Sequence, residues 1–182
     1  MKYISIFIVM LLLFSSAVAE EQKQSKKEQR IAKREKEKQQ NQILHNKAVK
    51  ALDSQKWAFE ADEFYNQKGE LLKGEFRPNV IGSSGKRLVA YLAYTHEDAI
   101  YRVTKDGPIR EIKKSTTKKG KIVYKIRVDH PFPAEVIIVV NKDSNFATLT
   151  LHEGTTKTVN HSYKGHILPA TDSRHYYMIK VE

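Results

Sequence analysis

Residues 115–141 read STTKKGKIVYKIRVDHPFPAEVIIVVN. Ile122, Tyr124, Ile126 and Val128 alternate with Val123, Lys125 and Arg127, a period of two that belongs to a strand. Residues 134–140 are apolar almost throughout, as a strand covered on both faces would be. Between the two runs, His130-Pro131-Phe132-Pro133 is a break that no helix crosses. Ahead of them, Gly120 can take positive φ in a tight turn, so Lys118-Lys119-Gly120 marks a hairpin. Two strands and a hairpin with no helical spacing between them predict antiparallel β structure.

The same pattern continues in both directions. Upstream, Lys56–Glu63 sets Trp57, Phe59 and Ala61 against Lys56, Ala58, Glu60 and Asp62. Residues 74–82 predict a second strand, with Pro78 marking an edge or a bulge. Ser83-Ser84-Gly85 turns the chain into residues 86–94, whose two faces are both largely apolar. Thr95–Asp98 breaks that run. Residues 99–103 and 108–113 flank Thr104-Lys105-Asp106-Gly107, a turn by its Asp-Gly pair. Downstream, residues 142–145 turn into the strand 146–152, and residues 155–168 supply one or two more. The tail 170–182 ends in an apolar and aromatic group that predicts a last strand. About eight to ten short strands at near-regular spacing predict a mainly β domain over residues 54–182. Its architecture is an antiparallel sandwich or a lipocalin-like barrel, preceded by an N-terminal helix. Those residues are numerous enough to bury a core without cross-links.

The N-terminal third has a different character. Lys2 precedes an apolar run from Ile4 to Phe14, followed by small residues with Ala17 and Ala19 in an A-x-A arrangement. Residues 1–19 therefore predict a cleaved secretory signal, since a run of about a dozen residues is too short for a bilayer that needs ~20. No transmembrane segment is expected after cleavage. The chain has no cysteine. That excludes disulfides and lipid anchoring through an N-terminal cysteine, so the expected location is periplasmic or secreted. Residues 20–52 hold ten lysines and arginines against five acids and contain neither glycine nor proline. Residues 20–42 lack an apolar stripe and predict a charged tether, helical or disordered. In residues 43–53, Leu44, Ala48, Ala51 and Leu52 share one helical face, with Val49 beside them, and predict a helix docked on the domain. The net charge of +11 favours acidic partners. Nucleic acid is a poor candidate for an exported protein, which leaves an anionic envelope surface met through residues 20–42.

The search for chemistry yields no catalytic, cofactor or metal residues. Thiol chemistry is excluded. No nucleophile elbow occurs, and Gly82–Lys86 (GSSGK) lacks the spacing of a phosphate loop and reads as a hairpin. His45, His96, His130, His152, His161, His166 and His175 show no zinc-site spacing. Glu60, Asp62 and Glu63 are grouped as the carboxylates of a glycosidase are, although the wet face of a strand explains them equally well. Tyr91, Tyr94, Tyr101 and residues 175–178 (HYYM) offer stacking surface for a ligand, or simply packing on a sheet. Asn160-His161-Ser162 matches a glycosylation sequon of use only in a eukaryotic host.

Taken together, Trp57 and Phe59, the Lys118-Lys119-Gly120 hairpin, the Ser144-Asn145-Phe146-Ala147-Thr148 turn and strand, and Tyr163 with Gly165 resemble a family of uncharacterised proteins, domain of unknown function 4251. The likeness spans about residues 48–170. It departs from the family at 93–101 (AYTHEDAIY), where many members carry a proline-aromatic stretch. The resemblance implies a small, exported, mostly β protein of Gram-negative anaerobes and transfers no site residue. The function expected is that of a non-enzymatic binding or envelope-associated module, its ligand in a barrel mouth or on a sheet face. The alternative is a carboxylate-dependent hydrolase of an envelope or environmental polymer.

Overall fold

The computed structural model describes residues 2–65, 68–71, 79–96, 99–154 and 160–179, with side chains over 27–65, 68–71, 79–92, 103–154 and 162–179. It contains a helix, α1 (Lys2–Asp53), and eight strands: β1 (Lys56–Tyr65), β2 (Val80–Ser84), β3 (Arg87–His96), β4 (Ala99–Thr116), β5 (Ile122–Val128), β6 (Ala134–Val140), β7 (Phe146–Glu153) and β8 (Asn160–Pro169). A 3-10 turn (Ala170–Asp172) and a short helix, α2 (Tyr176–Ile179), follow. Residues 1–40 and 41–182 are two separate compact units. In the first, every residue of 27–40 is exposed, as its lack of an apolar stripe requires.

The strands form a closed barrel in which each pairs antiparallel with the next and β8 returns to β1. Of the two expected architectures, the barrel is the one formed, each strand pairing with a neighbour on both sides. Inward residues alternate as the sequence pattern requires. On β5 they are Tyr124, Ile126 and Val128, on β6 Val136, Ile138 and Val140, and on β7 Ala147, Leu149 and Leu151, all buried. Eight strands enclose a space that side chains can just fill. Trp57, Phe59, Tyr124 and Tyr163 occupy much of it, and Phe64 stacks on Tyr163 with ring centroids 4.9 Å apart.

Two expectations are corrected. The Thr104–Gly107 segment is not a turn. β4 runs unbroken through it and changes neighbour there, pairing with β3 up to Pro108 and with β5 from Ile109. Gly107 does not have positive φ. A Cβ on it would lie 2.7 Å from Val128 Cγ1 and 2.8 Å from the Asp129 carbonyl oxygen. The glycine therefore admits a close backbone approach where the barrel wall bends. The tail is not a strand either. It forms the 3-10 turn and α2, whose Ile179 packs with Ala58 and Val80 on the outside of the barrel. In the docked part of α1, Ala48, Ala51 and Leu52 are buried with His45 and Leu44 is half-buried, while Ile43 is 51% exposed. The expected edge at Pro78 lies outside the described residues.

Where the expected turns were correct, glycine geometry supports them. Gly85 and Gly120 have φ of 92° and 77° in the β2–β3 and β4–β5 hairpins.

Candidate functional site

α1 ends without a glycine. Gln55 takes the left-handed conformation instead (φ 56°), its N–H donating to the Leu52 carbonyl at 3.1 Å. Its own carbonyl accepts the Gly85 N–H at 2.8 Å, which ties the corner to the β2–β3 hairpin. Asp53, the last helical residue, accepts from the Tyr124 hydroxyl at 2.7 Å and from Lys114 Nζ at 2.8 and 2.9 Å. Nearer the middle of the docked segment, His45 Nδ1 is 3.1 Å from the Ser144 carbonyl, which it meets as a donor. The end of α1 is thus fixed over the side of the barrel from which β1 starts.

The chain's C-terminal segment is fixed beside it. Glu60 Oε1 accepts from Ser173 Oγ at 2.7 Å and from the Arg174 N–H at 3.1 Å, and Arg174 lies 3.6 Å from Glu60 Oε2. A Cβ on Gly82 would lie 2.8 Å from Ile179 Cδ1, so α2 seats directly on that glycine. Between α1 and this segment lies a groove of about 540 Å³. Lys47, Lys50, Ala51 and Ser54 form one wall, Lys56 and Ser84 the floor, and Pro169, Ala170, Thr171, Asp172 and Tyr176 the other wall. Lys56 and Ser84 are register partners on β1 and β2. Lys47 and Lys50 are one helical turn apart, so their like charges repel.

Most cations of the barrel wall are paired, with Lys125 of β5 an exception among the described residues. Arg87 pairs with Asp106 and Lys105 with Glu153, while Lys113 and Arg127 share Glu111, and Arg127 also reaches Glu135. Lys113 and Arg127 hold the Glu111 carboxyl below its usual range, its hydrogen bond to Lys113 contributing most. Among the described residues, no carboxylate pairs with Lys47, Lys50 or Lys56.

The carboxylates singled out in the sequence all lie on the barrel exterior and each already has a partner. Glu60 holds the C-terminal segment, and Asp62 lies 3.3 Å from His166 Nε2. Glu63 accepts from the Tyr65 hydroxyl at 2.5 Å, and that hydroxyl accepts from Lys164 Nζ at 2.7 Å. The Tyr65 hydrogen bond is the main reason the Glu63 carboxyl titrates below its usual range and Lys164 above its own. These shifts favour a resting ion pair, the opposite of the raised carboxyl that a general acid needs. Nothing in the arrangement supports the hydrolase alternative.

Among the described residues the histidines do not converge. His45 is buried under α1, His166 lies between Asp62 and Asn145, and His175 stands edge-on to Tyr177. Among the described residues, no three of His, Asp and Glu come together. The side chains of Tyr94, His96, Tyr101 and His161, with Glu97 and Asp98, lie outside the description, and so does the side chain of the sequon's Asn160. From the aromatic group at 175–178, Tyr176 reaches the groove. Lys47, Lys50 and Lys56 are the groove residues that the sequence did not reveal. Their only signal is a lysine on each side of the helix end, which is indistinguishable from ordinary complementing of the helix dipole.

Residues 36–167 match the family model "Domain of unknown function (DUF4251)". The chain belongs to the DUF4251 family. Its barrel is similar to the crystal structure of a DUF4251 family protein from Bacteroides eggerthii, with a TM-score of 0.64 and 22% sequence identity over 77% of this chain and 97% of that one. That likeness concerns the fold. No curated protein matches. The family has no known function, and the groove geometry belongs to this chain's own residues.

Proposed function

We propose that this DUF4251 protein is an exported, non-enzymatic β-barrel module that binds an anionic component of the cell envelope. The observation that carries the reading is the clustering of three cations without carboxylate partners, Lys47, Lys50 and Lys56, where α1 meets the barrel, whereas most wall cations are paired. The basic tether of residues 20–42 adds to it, and the signal-like pattern of residues 1–19 supports the exported part of the reading. Among the described residues the large side chains of Trp57, Phe59, Tyr124 and Tyr163 crowd the barrel interior, which favours binding on the outer surface. The scattered and already partnered carboxylates favour binding over catalysis. Among the described residues no helix is long and apolar enough to cross a membrane, so association by charge is the mode to test.

The experiment is fractionation of the native host followed by salt extraction of the envelope, using the full chain and a variant lacking residues 20–42. Envelope association that weakens as salt rises is expected, because exposed charge interactions are screened within about 8 Å at physiological ionic strength. A protein retained in the cytoplasm, or an association indifferent to both salt and the deletion, would refute the reading.

A further inference from the structure

We infer that the groove between the end of α1 and the C-terminal segment is a binding site for an anionic sugar, a saccharide carrying phosphate or carboxylate. The inference deepens the envelope-binding reading and rests on it. Three features of the groove converge on that ligand class. The first is charge. Lys47, Lys50 and Lys56 bring three ammonium groups to one concavity that contains a single carboxylate, Asp172, which interacts with its neighbour Thr171 at 3.3 Å. Lys47 and Lys50 repel each other across one helical turn, and an anion between them would relieve that repulsion.

The second feature is size. At about 540 Å³ the groove falls within the range of small-molecule sites. The third is the nature of the remaining lining. Ser84 and Tyr176 carry hydroxyls that can both donate and accept, Ser54 and Thr171, which donate to the Ala51 carbonyl and to Asp172, can accept, and Pro169, Ala170 and the Tyr176 ring offer an apolar wall. A pyranose ring presents those two properties, hydroxyl edges and a C–H face that stacks on aromatic surface. The site is also built on fixed elements. Gln55 and Gly85 lock one side through the 2.8 Å hydrogen bond, and Glu60 locks the other through Ser173 and Arg174.

The test is a titration of the full chain at low salt, followed by NMR shifts of the backbone amides of Lys50, Lys56, Ser84, Thr171 and Tyr176 and by calorimetry. The probes are glucose 6-phosphate, glucuronate, glucose and inorganic phosphate. Saturable shifts confined to the groove are expected with glucose 6-phosphate or glucuronate, at affinity at least about tenfold above glucose or inorganic phosphate. The stronger of the first two identifies the anionic group. The variant Lys50→Gln/Lys56→Gln changes two exposed side chains without touching the core and should lose at least about tenfold in affinity, with an unchanged melting curve. Tyr176→Ala should weaken sugar phosphate more than inorganic phosphate. The inference is overturned if groove amides do not move at millimolar ligand, if neutral glucose binds as well, or if the double substitution leaves affinity unchanged. Salt-sensitive envelope association that survives Lys50→Gln/Lys56→Gln, together with silent groove amides, would reject the site while leaving the envelope reading intact.

Discussion

Gly165→Ala tests how the barrel closes. Gly165 of β8 faces Ala61 of β1 at a register shift between Ala61 and Glu63. A Cβ on Gly165 would lie 2.0 Å from the Glu60 carbonyl oxygen and 2.9 Å from Ala61 Cα. Carbon-to-oxygen contacts in sheets begin near about 3.3 Å, so the strands would have to part by more than about 1 Å. Both obstructing atoms are backbone, and no rotamer change relieves them. Overpacking costs about 1–3 kcal/mol, and two loosened ladder bonds at about 1 kcal/mol each bring the total to about 3–5 kcal/mol. Against a stability of about 5–15 kcal/mol this is a large fraction. The assay is urea unfolding followed by the fluorescence of Trp57, which lies on β1 and is fully buried. Gly107→Ala is the comparison. One of its obstructions is the Val128 side chain, and its cost should be smaller, about 1–3 kcal/mol. A Gly165→Ala midpoint within about 0.5 kcal/mol of the parent would refute the view that β1 and β8 close at this glycine, since ordinary surface changes stay within that range.

Leu52→Ala removes a side chain only 2% exposed beneath α1 and should cost about 2–5 kcal/mol by urea unfolding; an effect near zero would mean that the helix end does not dock. Burial, with the Asp53 hydrogen bond second, pushes the Tyr124 hydroxyl far above its ordinary value, and burial with the Glu153 charge does the same to Tyr163. The folded chain keeps protons that the unfolded chain releases near pH ~10, so stability should be intact below that pH and fall as pH rises above it. Urea midpoints at rising pH check this, and a midpoint independent of pH above 10 in the parent chain would contradict it. Tyr65→Phe removes the hydrogen bond that chiefly lowers the Glu63 carboxyl, so an NMR titration should find that carboxyl returned toward its ordinary value. An unchanged titration would show that the 2.5 Å contact is not a hydrogen bond in solution.

The alternation in β5, β6 and β7 made the core legible in the sequence, because strand periodicity and burial are the same physical fact there. The family was legible for a related reason, since Trp57, Gly120 and Gly165 sit where the barrel's geometry leaves little choice. Asp106-Gly107 was misread because a glycine needed for close approach looks the same in sequence as one needed for positive φ. Only Val128 and Asp129, some twenty residues away, distinguish the two. The tail was misread because apolar residues alone do not tell a strand from a short helix, and Glu60, over a hundred residues upstream, holds that tail in place. The groove was illegible for the same reason. Lys47, Lys50 and Lys56 carry no motif, and their meaning lies in which carboxylates are not beside them.

A lipocalin-like outline invites the expectation of a ligand inside the barrel. The interior argues against it through the size of its occupants. Trp57, Phe59, Tyr124 and Tyr163 are all at least 98% buried within an eight-stranded wall. Admitting a ligand among them would require displacing aromatic side chains whose packing the fold needs. Two of them also hold neighbouring elements: Tyr124 donates to Asp53 at the end of α1, and Tyr163 stacks on the buried Phe64 just beyond the β1 register shift. The aromatic interior thus acts as an internal support that holds α1 and the distorted part of β1 in position. A rigid, filled barrel is well suited to present an external groove, because the walls of that groove come from elements locked to the core. Trp57→Phe offers a final check. It should loosen the barrel by a measurable shift in the urea midpoint while leaving the groove lysines untouched, so sugar-anion affinity measured well below that midpoint should stay within about twofold of the parent. An affinity that fell in step with stability would place the ligand inside the barrel after all.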